Sequence, residues 1–541
     1  MVSALPGFSA VTRQWFSESF EAATLAQEQA WAAIAAGDHT LVVAPTGSGK
    51  TLAAFLWAID QTWQQPRHQQ TSVLYVSPLK ALAVDVERNL RAPLAGIARL
   101  SGQDTGITAA VRTGDTTAAQ RRRLLSAPPE ILITTPESLY LMLTSAARDT
   151  LRGVHTVIID EVHAVAGSKR GSHLALSLER LAEITETEPQ RIGLSATVRP
   201  PDTVAHFLAG PRPVTVVNPA SEKIIEVTTV VPVPDLANPP AVTDDEDRSS
   251  GPSIWPHVNE AVAARILEQT STLVFVNSRR LAERVTTQLN ELHQEQTGTD
   301  EVIAAAHHGS VSKERRAAIE DSLKAGRLKA VVATSSLELG IDMGAVDLVI
   351  QIQGPPSVSS GLQRVGRAGH QVGVKSSALL FPTHRGDLLS STMTIDAMLN
   401  REIEPIRPPR HPLDVLAQHI VAMTAMDDWD VDELYSLVRR AGPYESLPRS
   451  LFDAVLDMLT GKYPSEDFAT LRPRVIWDRS LNRLSARPGS QRLAVTAGGT
   501  IPDRGLFGVF LVGDDESRRV GELDEEMVYE SRVGEVFALG A

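Results

Sequence analysis

The eight residues Ala44-Pro45-Thr46-Gly47-Ser48-Gly49-Lys50-Thr51 constrain this chain more than any others. They follow the apolar run Leu41 to Val43 and open the helical pattern Leu52 to Ile59. A strand, a glycine-rich turn and a helix in that order form a phosphate-binding loop. Gly47 and Gly49 let the backbone approach a phosphate, and the loop amides and helix N-terminus supply positive potential. Lys50 is expected to neutralise the β and γ phosphates of ATP, and the Thr51 hydroxyl to ligate Mg²⁺. Thr46 and Ser48 complete the loop.

Short β-branched runs recur around this unit at Val73 to Val76, Ile131 to Thr134, Val157 to Ile159 and Ile192 to Leu194, separated by longer helical patterns. That spacing predicts a parallel α/β sheet. Polar or chemically useful residues follow the strands directly, at Pro45, Pro78, Thr135, Asp160 and Ser195, where an open parallel sheet places its ligand crevice. A second set follows at Thr272 to Val276, Val302 to Ala306, Ala330 to Ala333, Leu348 to Ile352 and Ala378 to Phe381. Between them, residues 231–256 carry six prolines and the run Asp244-Asp245-Glu246-Asp247, which reads as a loop or linker. Beyond Arg407-Pro408-Pro409, the runs Leu413 to Met423, Val431 to Arg440 and Leu451 to Leu459 predict three short helices, compatible with a winged-helix-like module. From Arg474 onward the chain is Gly-rich and β-rich, which suggests an incomplete barrel. The expected division is 1–218, 219–395, 396–465 and 466–541, and 541 residues are indeed too many for a single core.

Composition narrows the chemistry. The formal charge of -13 argues against a wholly basic coat, so any nucleic-acid path must be a local basic groove. With no cysteine, disulfides, thiol catalysis and thiolate metal sites are excluded, and metal must come through oxygen or histidine. No long uncharged apolar stretch occurs, so no membrane partner is expected and the cytoplasm is the expected compartment.

Asp160-Glu161-Val162-His163 follows the strand Val157 to Ile159, so both carboxylates emerge beside the phosphate loop. Asp160 is placed to hold Mg²⁺ through water, and Glu161 to orient and deprotonate the attacking water, because phosphoryl transfer needs positioning and charge neutralisation. His163 reads either as a coupling residue or as a plain structural contact. The neighbours His307 and His308 project in different directions from a strand end and do not read as a zinc site.

The order Ser77-Pro-Leu-Lys-Ala-Leu82, Thr134-Thr-Pro-Glu-Ser138, Ser195-Ala-Thr197, Ala333-Thr-Ser-Ser-Leu-Glu-Leu-Gly-Ile-Asp342 and Gln363-Arg-Val-Gly-Arg-Ala-Gly-His370 resembles the motifs of superfamily 2 helicases. Ala44 stands where the general phosphate-loop pattern has glycine, a departure common in that superfamily. The resemblance implies two RecA-like domains with ATP bound between them. It implies that Arg364 and Arg367 reach the γ-phosphate from the second domain, where a planar guanidinium suits a charge-developing phosphate. Gln27 resembles the adenine-reading glutamine, with a helix cap as the alternative. Gly340 and Asp342 correspond to nucleotide-sensing positions, and Ser195 and Thr197 to the link that passes hydrolysis to the bound strand. Pro78, Lys80, Thr135, Arg279, His308, Thr334 and Ser336 correspond to the nucleic-acid track, where Ser, Thr and backbone amides contact phosphates without reading bases.

The Asp-Glu-Val-His box, the His307-His-Gly-Ser310 stretch, the winged-helix-like segment and the end Gly498 to Glu526 resemble the bacterial large helicase-related proteins over essentially the whole chain. That likeness implies ATP-driven 3′ to 5′ movement on single-stranded DNA and unwinding of DNA or RNA:DNA duplexes in DNA repair. A monomer with no small-molecule substrate besides ATP is expected. An RNA-directed helicase, or a strand-binding and annealing protein with weakly coupled unwinding, is the alternative reading.

Overall fold

The structure is a computed structural model that describes residues 5, 7–45, 47–64, 70–220, 224–240, 253–338, 344, 346–369, 375–462, 472–501, 506–510, 519–524 and 528. The first domain holds seven parallel strands: β1 (His39–Val43), β2 (Val73–Val76), β3 (Ala109–Arg112), β4 (Ile131–Thr134), β5 (Thr156–Ile159), β6 (Gln190–Ser195) and β7 (Val214–Val217). They lie in the order β3, β4, β2, β5, β6, β1, β7. β3 and β7 were not read from sequence; both are edge strands and their half-exposed residues lack a long apolar run.

The strands are apolar throughout because both faces are covered, and alternate residues enter different cores. Leu74 and Val76 join one cluster while Val73 and Tyr75 join the other. Local signals set the flanking helices: Thr24 and Gln27 form a reciprocal capping box at the start of helix Leu25–Ala35.

The second domain repeats the plan with β8 (Ile225–Thr229), β9 (Thr272–Phe275), β10 (Ala304–His307), β11 (Ala330–Ala333), β12 (Leu348–Ile352) and β13 (Ser376–Phe381), ordered β10, β11, β9, β12, β13, β8. Of the Pro-rich stretch 231–256, residues 241–252 lie outside the described residues, and its end already belongs to helix Trp255–Leu267.

Three helices then follow at Leu413–Thr424, Val431–Arg440 and Arg449–Thr460. The strands β14 (Trp429–Asp430), β15 (Val475–Asp478) and β16 (Arg483–Ala486) form an antiparallel sheet in the order β14, β16, β15, which makes a winged helix. One sheet therefore joins segments on both sides of residue 465. A two-stranded antiparallel sheet, β17 (Leu506–Phe510) with β18 (Arg519–Asp524), follows.

The winged helix is seated on the first domain. Val415, Leu416, Ile420, Leu434 and Phe452 belong to the same buried cluster as Leu41, Leu74 and Leu176. Helix Lys169–Ile184 is sandwiched between them and buries even Glu179, which pairs with Arg191 at 2.8 Å, Arg212 at 2.9 Å and Arg440 of the winged helix at 3.5 Å. The Arg191 and Arg212 guanidinium groups hold the Glu179 carboxyl below its usual range despite burial. The same seam packs Tyr140, His173 and His419 ring to ring, with the two imidazole centroids 4.5 Å apart. Burial pushes His173 down to about 3.

The chain crosses from second domain to winged helix in a few residues. Ile403 lies in the second-domain core. The Glu404 carboxylate accepts from Val358 N at 2.6 Å and Ser359 N at 3.2 Å, and Ile406 N donates to Arg199 O on the first domain at 2.8 Å. Among the described residues no helix is long and apolar enough to cross a membrane.

Candidate nucleotide and nucleic-acid site

Because β5, β6 and β1 are adjacent, the segments that leave their C-terminal ends lie side by side: Ala44 N donates to Ser195 O at 3.0 Å and Val162 N to Leu194 O at 3.0 Å. The phosphate loop turns through Gly47 and Gly49 at φ of 86° and 78°, a region that favours glycine. A Cβ at Gly49 would also collide with the Gln27 amide. That amide donates to Gly49 O at 3.3 Å while its oxygen accepts from Thr24 N at 2.9 Å. Gln27 is thus a helix cap and a neighbour of the loop at once.

Lys50 is buried, with Nζ 3.3 Å from Ala44 O and 4.0 Å from Glu161 Oε2. The Ser48 hydroxyl is buried and no described residue satisfies it, as fits a loop shaped for phosphate oxygens. Asp160 is buried and accepts from the Tyr75 hydroxyl and from Glu161 N. Burial and the Glu161 charge push its carboxyl well above the usual range, while Tyr75 and Lys50 oppose that shift. A cation would reverse the balance, so the donor set of Asp160 and Thr51 fits Mg²⁺. Glu161 sits at φ 43°, a left-handed conformation that costs a non-glycine residue about 1 to 2 kcal/mol and here aims its carboxylate at Lys50.

His163 joins the two domains. Its Nδ1 accepts from Ala196 N at 3.3 Å and lies 3.2 Å from Ser195 Oγ and 3.5 Å from Glu161 Oε2. Its Nε2 lies 2.9 Å from the Gln363 amide of the second domain. Burial lowers its pKa, and the Ala196 amide donates to Nδ1, so the ring is held neutral. Ser195 is buried in this relay, while Thr197 is exposed.

Between the domains lies a cleft of about 800 Å³. Lys80 and His163 line it from one side, and Arg279, Thr334, Ser336, Gln363 and Arg364 from the other. Lys80 Nζ pairs with Asp115 at 2.6 Å in an exposed setting, a contact worth about 0 to 1 kcal/mol and readily exchanged for a phosphate. The structure does not bring Pro78, Thr135 or His308 to the cleft wall. Pro78 and Thr135 are buried at the sheet edge. His308 turns to Glu283 at 2.7 Å, and His307 turns to Ser336 and Glu320. Arg364 and Arg367 are buried in the second domain at 3% and 2% exposed. Thr46, Gly340 and Asp342 lie outside the described residues.

Sequence reasoning assigned no role to Tyr75, Asp115, Glu338 or Gln363. The one legible sign was Tyr75, a lone hydroxyl in the otherwise apolar strand Val73–Val76.

Three family models match: DEAD/DEAH box helicase over residues 24–205, helicase conserved C-terminal domain over 257–371, and large helicase-related protein winged helix domain over 396–541. The chain is 57% identical to the Lhr helicase/probable uracil glycosylase of Mycolicibacterium smegmatis, across 99% of this chain and 37% of that protein. It is 38% identical to the ATP-dependent helicase Lhr-Core of Methanothermobacter thermautotrophicus, across 97% of this chain and 61% of that one. The chain thus spans less than two thirds of these relatives' length. The structure of Mycobacterium smegmatis helicase Lhr bound to ssDNA and AMP-PNP matches with TM-score 0.87 and 58% identity, covering 99% of this chain and 67% of that one. Two RecA-like sheets, the winged helix and these identities agree, and the chain belongs to the large helicase-related (Lhr) family of DEAD/DEAH-type helicases.

Proposed function

We propose that this chain is the motor portion of an ATP-dependent DNA helicase that moves 3′ to 5′ on single-stranded DNA and separates DNA or RNA:DNA duplexes, working as a monomer in cytoplasmic DNA repair. The observation that carries the reading is the relay from the phosphate loop through Glu161 and His163 to Gln363, which opens directly onto the interdomain cleft. The ssDNA and AMP-PNP bound to the related mycobacterial helicase support the same substrates here.

Gln27, beside Gly49, reads adenine, and Lys50 with the loop amides of Gly47, Ser48 and Gly49 neutralises the phosphates. Thr51 and Asp160 would hold Mg²⁺, which neutralises charge on the β and γ phosphate oxygens. Glu161 takes a proton from the attacking water. Arg367 brings the second domain to the γ-phosphate, a contribution of about 10³ to 10⁵ in rate for such a group, while Arg364, expected from sequence to share that role, is held by Glu338, Asn277 and Gln351 within its own domain. Loss of that phosphate is felt at His163 and passed to Ser195 and Gln363. Lys80, Arg279, Thr334 and Ser336 then exchange their grip on the strand as the domains open.

ATP hydrolysis with and without single-stranded DNA or RNA tests this, with Lys50→Ala and Glu161→Gln as controls. Strong stimulation by DNA and loss of turnover in both variants are expected; turnover that survives both would refute the motor. Duplexes with a 3′ or a 5′ tail then report polarity, and equal stimulation by RNA would overturn the DNA assignment.

A further inference from the structure

Glu338 occupies the turn after β11, at the wall of the cleft, and it is the point where the motif containing Gln363 to Gly369 is tied down. Its Oε2 accepts from Arg364 Nε at 3.2 Å and Nη2 at 3.1 Å. Its Oε1 accepts from the Ser360 hydroxyl, one helical turn before Arg364. Its backbone carbonyl accepts from Arg367 Nη2 at 3.0 Å. A single residue thus holds both arginines and the helix that carries them.

Arg364 has no reach to spare. Its Nη1 donates to Asn277 Oδ1 at 3.1 Å and Gln351 Oε1 at 2.9 Å, and its guanidinium lies 5.3 Å from the Phe275 ring centroid. The ends of β9 and β12 and the turn after β11 fix it inside its own domain. A guanidinium committed to a carboxylate and two amide oxygens is an internal strut, and moving it out would leave the half-buried Glu338 without its ion-pair partner.

We propose that Glu338 is a positioning residue for ATP hydrolysis: its carboxylate locks Arg364 as the strut of the helix, and its carbonyl fixes the place of Arg367 behind the cleft wall. This rests on the reading of Arg367 as the arginine acting on the γ-phosphate. The carboxylate needs the length of glutamate. An aspartate at the same backbone position would retract the carboxylate by one methylene, and Arg364 and Ser360 could be followed only by shifting the carbonyl that holds Arg367. Misplacement of a reacting group by about 1 Å can cost about 100-fold in rate, so the effect falls on turnover rather than on ATP binding.

The test uses the full chain with Glu338→Ala, Glu338→Gln, Arg364→Ala, Arg367→Ala and the Glu338→Ala/Arg364→Ala double variant. Melting temperature, ATP-analogue binding and DNA-stimulated kcat and KM are measured for each. Glu338→Ala is expected to lower kcat by about tenfold or more with KM within about threefold, and the double variant to match Arg364→Ala within about twofold. Glu338→Gln, which keeps shape and one acceptor, decides the matter if the alanine variant does not fold: a kcat loss of at least about threefold at unchanged melting temperature supports the proposal, and a smaller loss overturns it. Losses that multiply in the double variant also overturn it. If Arg367→Ala keeps turnover, the arginine reading itself fails; if it loses turnover while Glu338→Ala stays within about twofold of the wild type, only the role of Glu338 fails.

Discussion

Replacing Ile420 by alanine tests whether the winged helix and the first domain are one cooperative body. Ile420 is 0% exposed on helix Leu413–Thr424, inside the cluster that also contains Leu74, Leu176 and Phe452. The change removes three carbons, worth about 0.8 kcal/mol each in lost transfer energy, or about 2.4 kcal/mol together. The residual cavity raises the cost to about 3 to 4 kcal/mol, because helix Lys169–Ile184 is held on its far side by the sheet and does not collapse inward. In a unit of this size each kcal/mol shifts the midpoint by about 2 °C, so a fall of about 7 °C is expected. Calorimetry, combined with a fluorescent ATP analogue as a probe of the phosphate loop, reads the outcome. The analogue should be lost at the same lowered temperature as the winged helix unfolds. A separate early transition that leaves analogue binding at its wild-type midpoint would refute the shared core.

The buried His173 gives the seam an acid limit. Its folded pKa of about 3 lies below the ordinary value of about 6.5, so the unfolded chain takes up the proton first; stability is full above pH 6.5 and falls as pH drops toward 3. At pH 5 the loss from this group is about 2 kcal/mol, and the unfolding free energies of the wild type and His173→Leu from urea titrations should diverge by that amount between pH 7.5 and 5; parallel behaviour would exclude it. At the cleft, Lys80→Ala should weaken single-stranded DNA binding at all sequences alike and reduce the slope of log affinity against log salt by about 0.7, as one phosphate contact requires. An unchanged slope in fluorescence anisotropy titrations would remove Lys80 from the track.

The nucleotide side was legible because its chemistry is local. Phosphate binding needs a strand, two glycines, a lysine and a helix in immediate succession, and Asp160 and Glu161 need only a neighbouring strand end. The cleft was legible in part: Lys80, Arg279, Thr334 and Ser336 line it, while His308 turned to Glu283, a partner 25 residues away that no spacing rule selects. Glu338 read as filler in its motif because its role depends on Ser360, Arg364 and Arg367, brought together only by folding. Helix Lys169–Ile184 shows the same limit. His173, Ser177, Glu179 and Arg180 mark a solvent face in sequence, yet all four are buried because a distant module covers that face.

The crossing at residues 403–406 gives the motor unequal halves. The winged helix adds its mass and surface to the first domain, so its exposed face is held in fixed register with the phosphate loop. The second domain meets this body at a junction where Glu404 grips the helix of Arg364 and Ile406 is fastened to Arg199. A load pulling on the winged helix therefore reaches the ATP-binding half without slack.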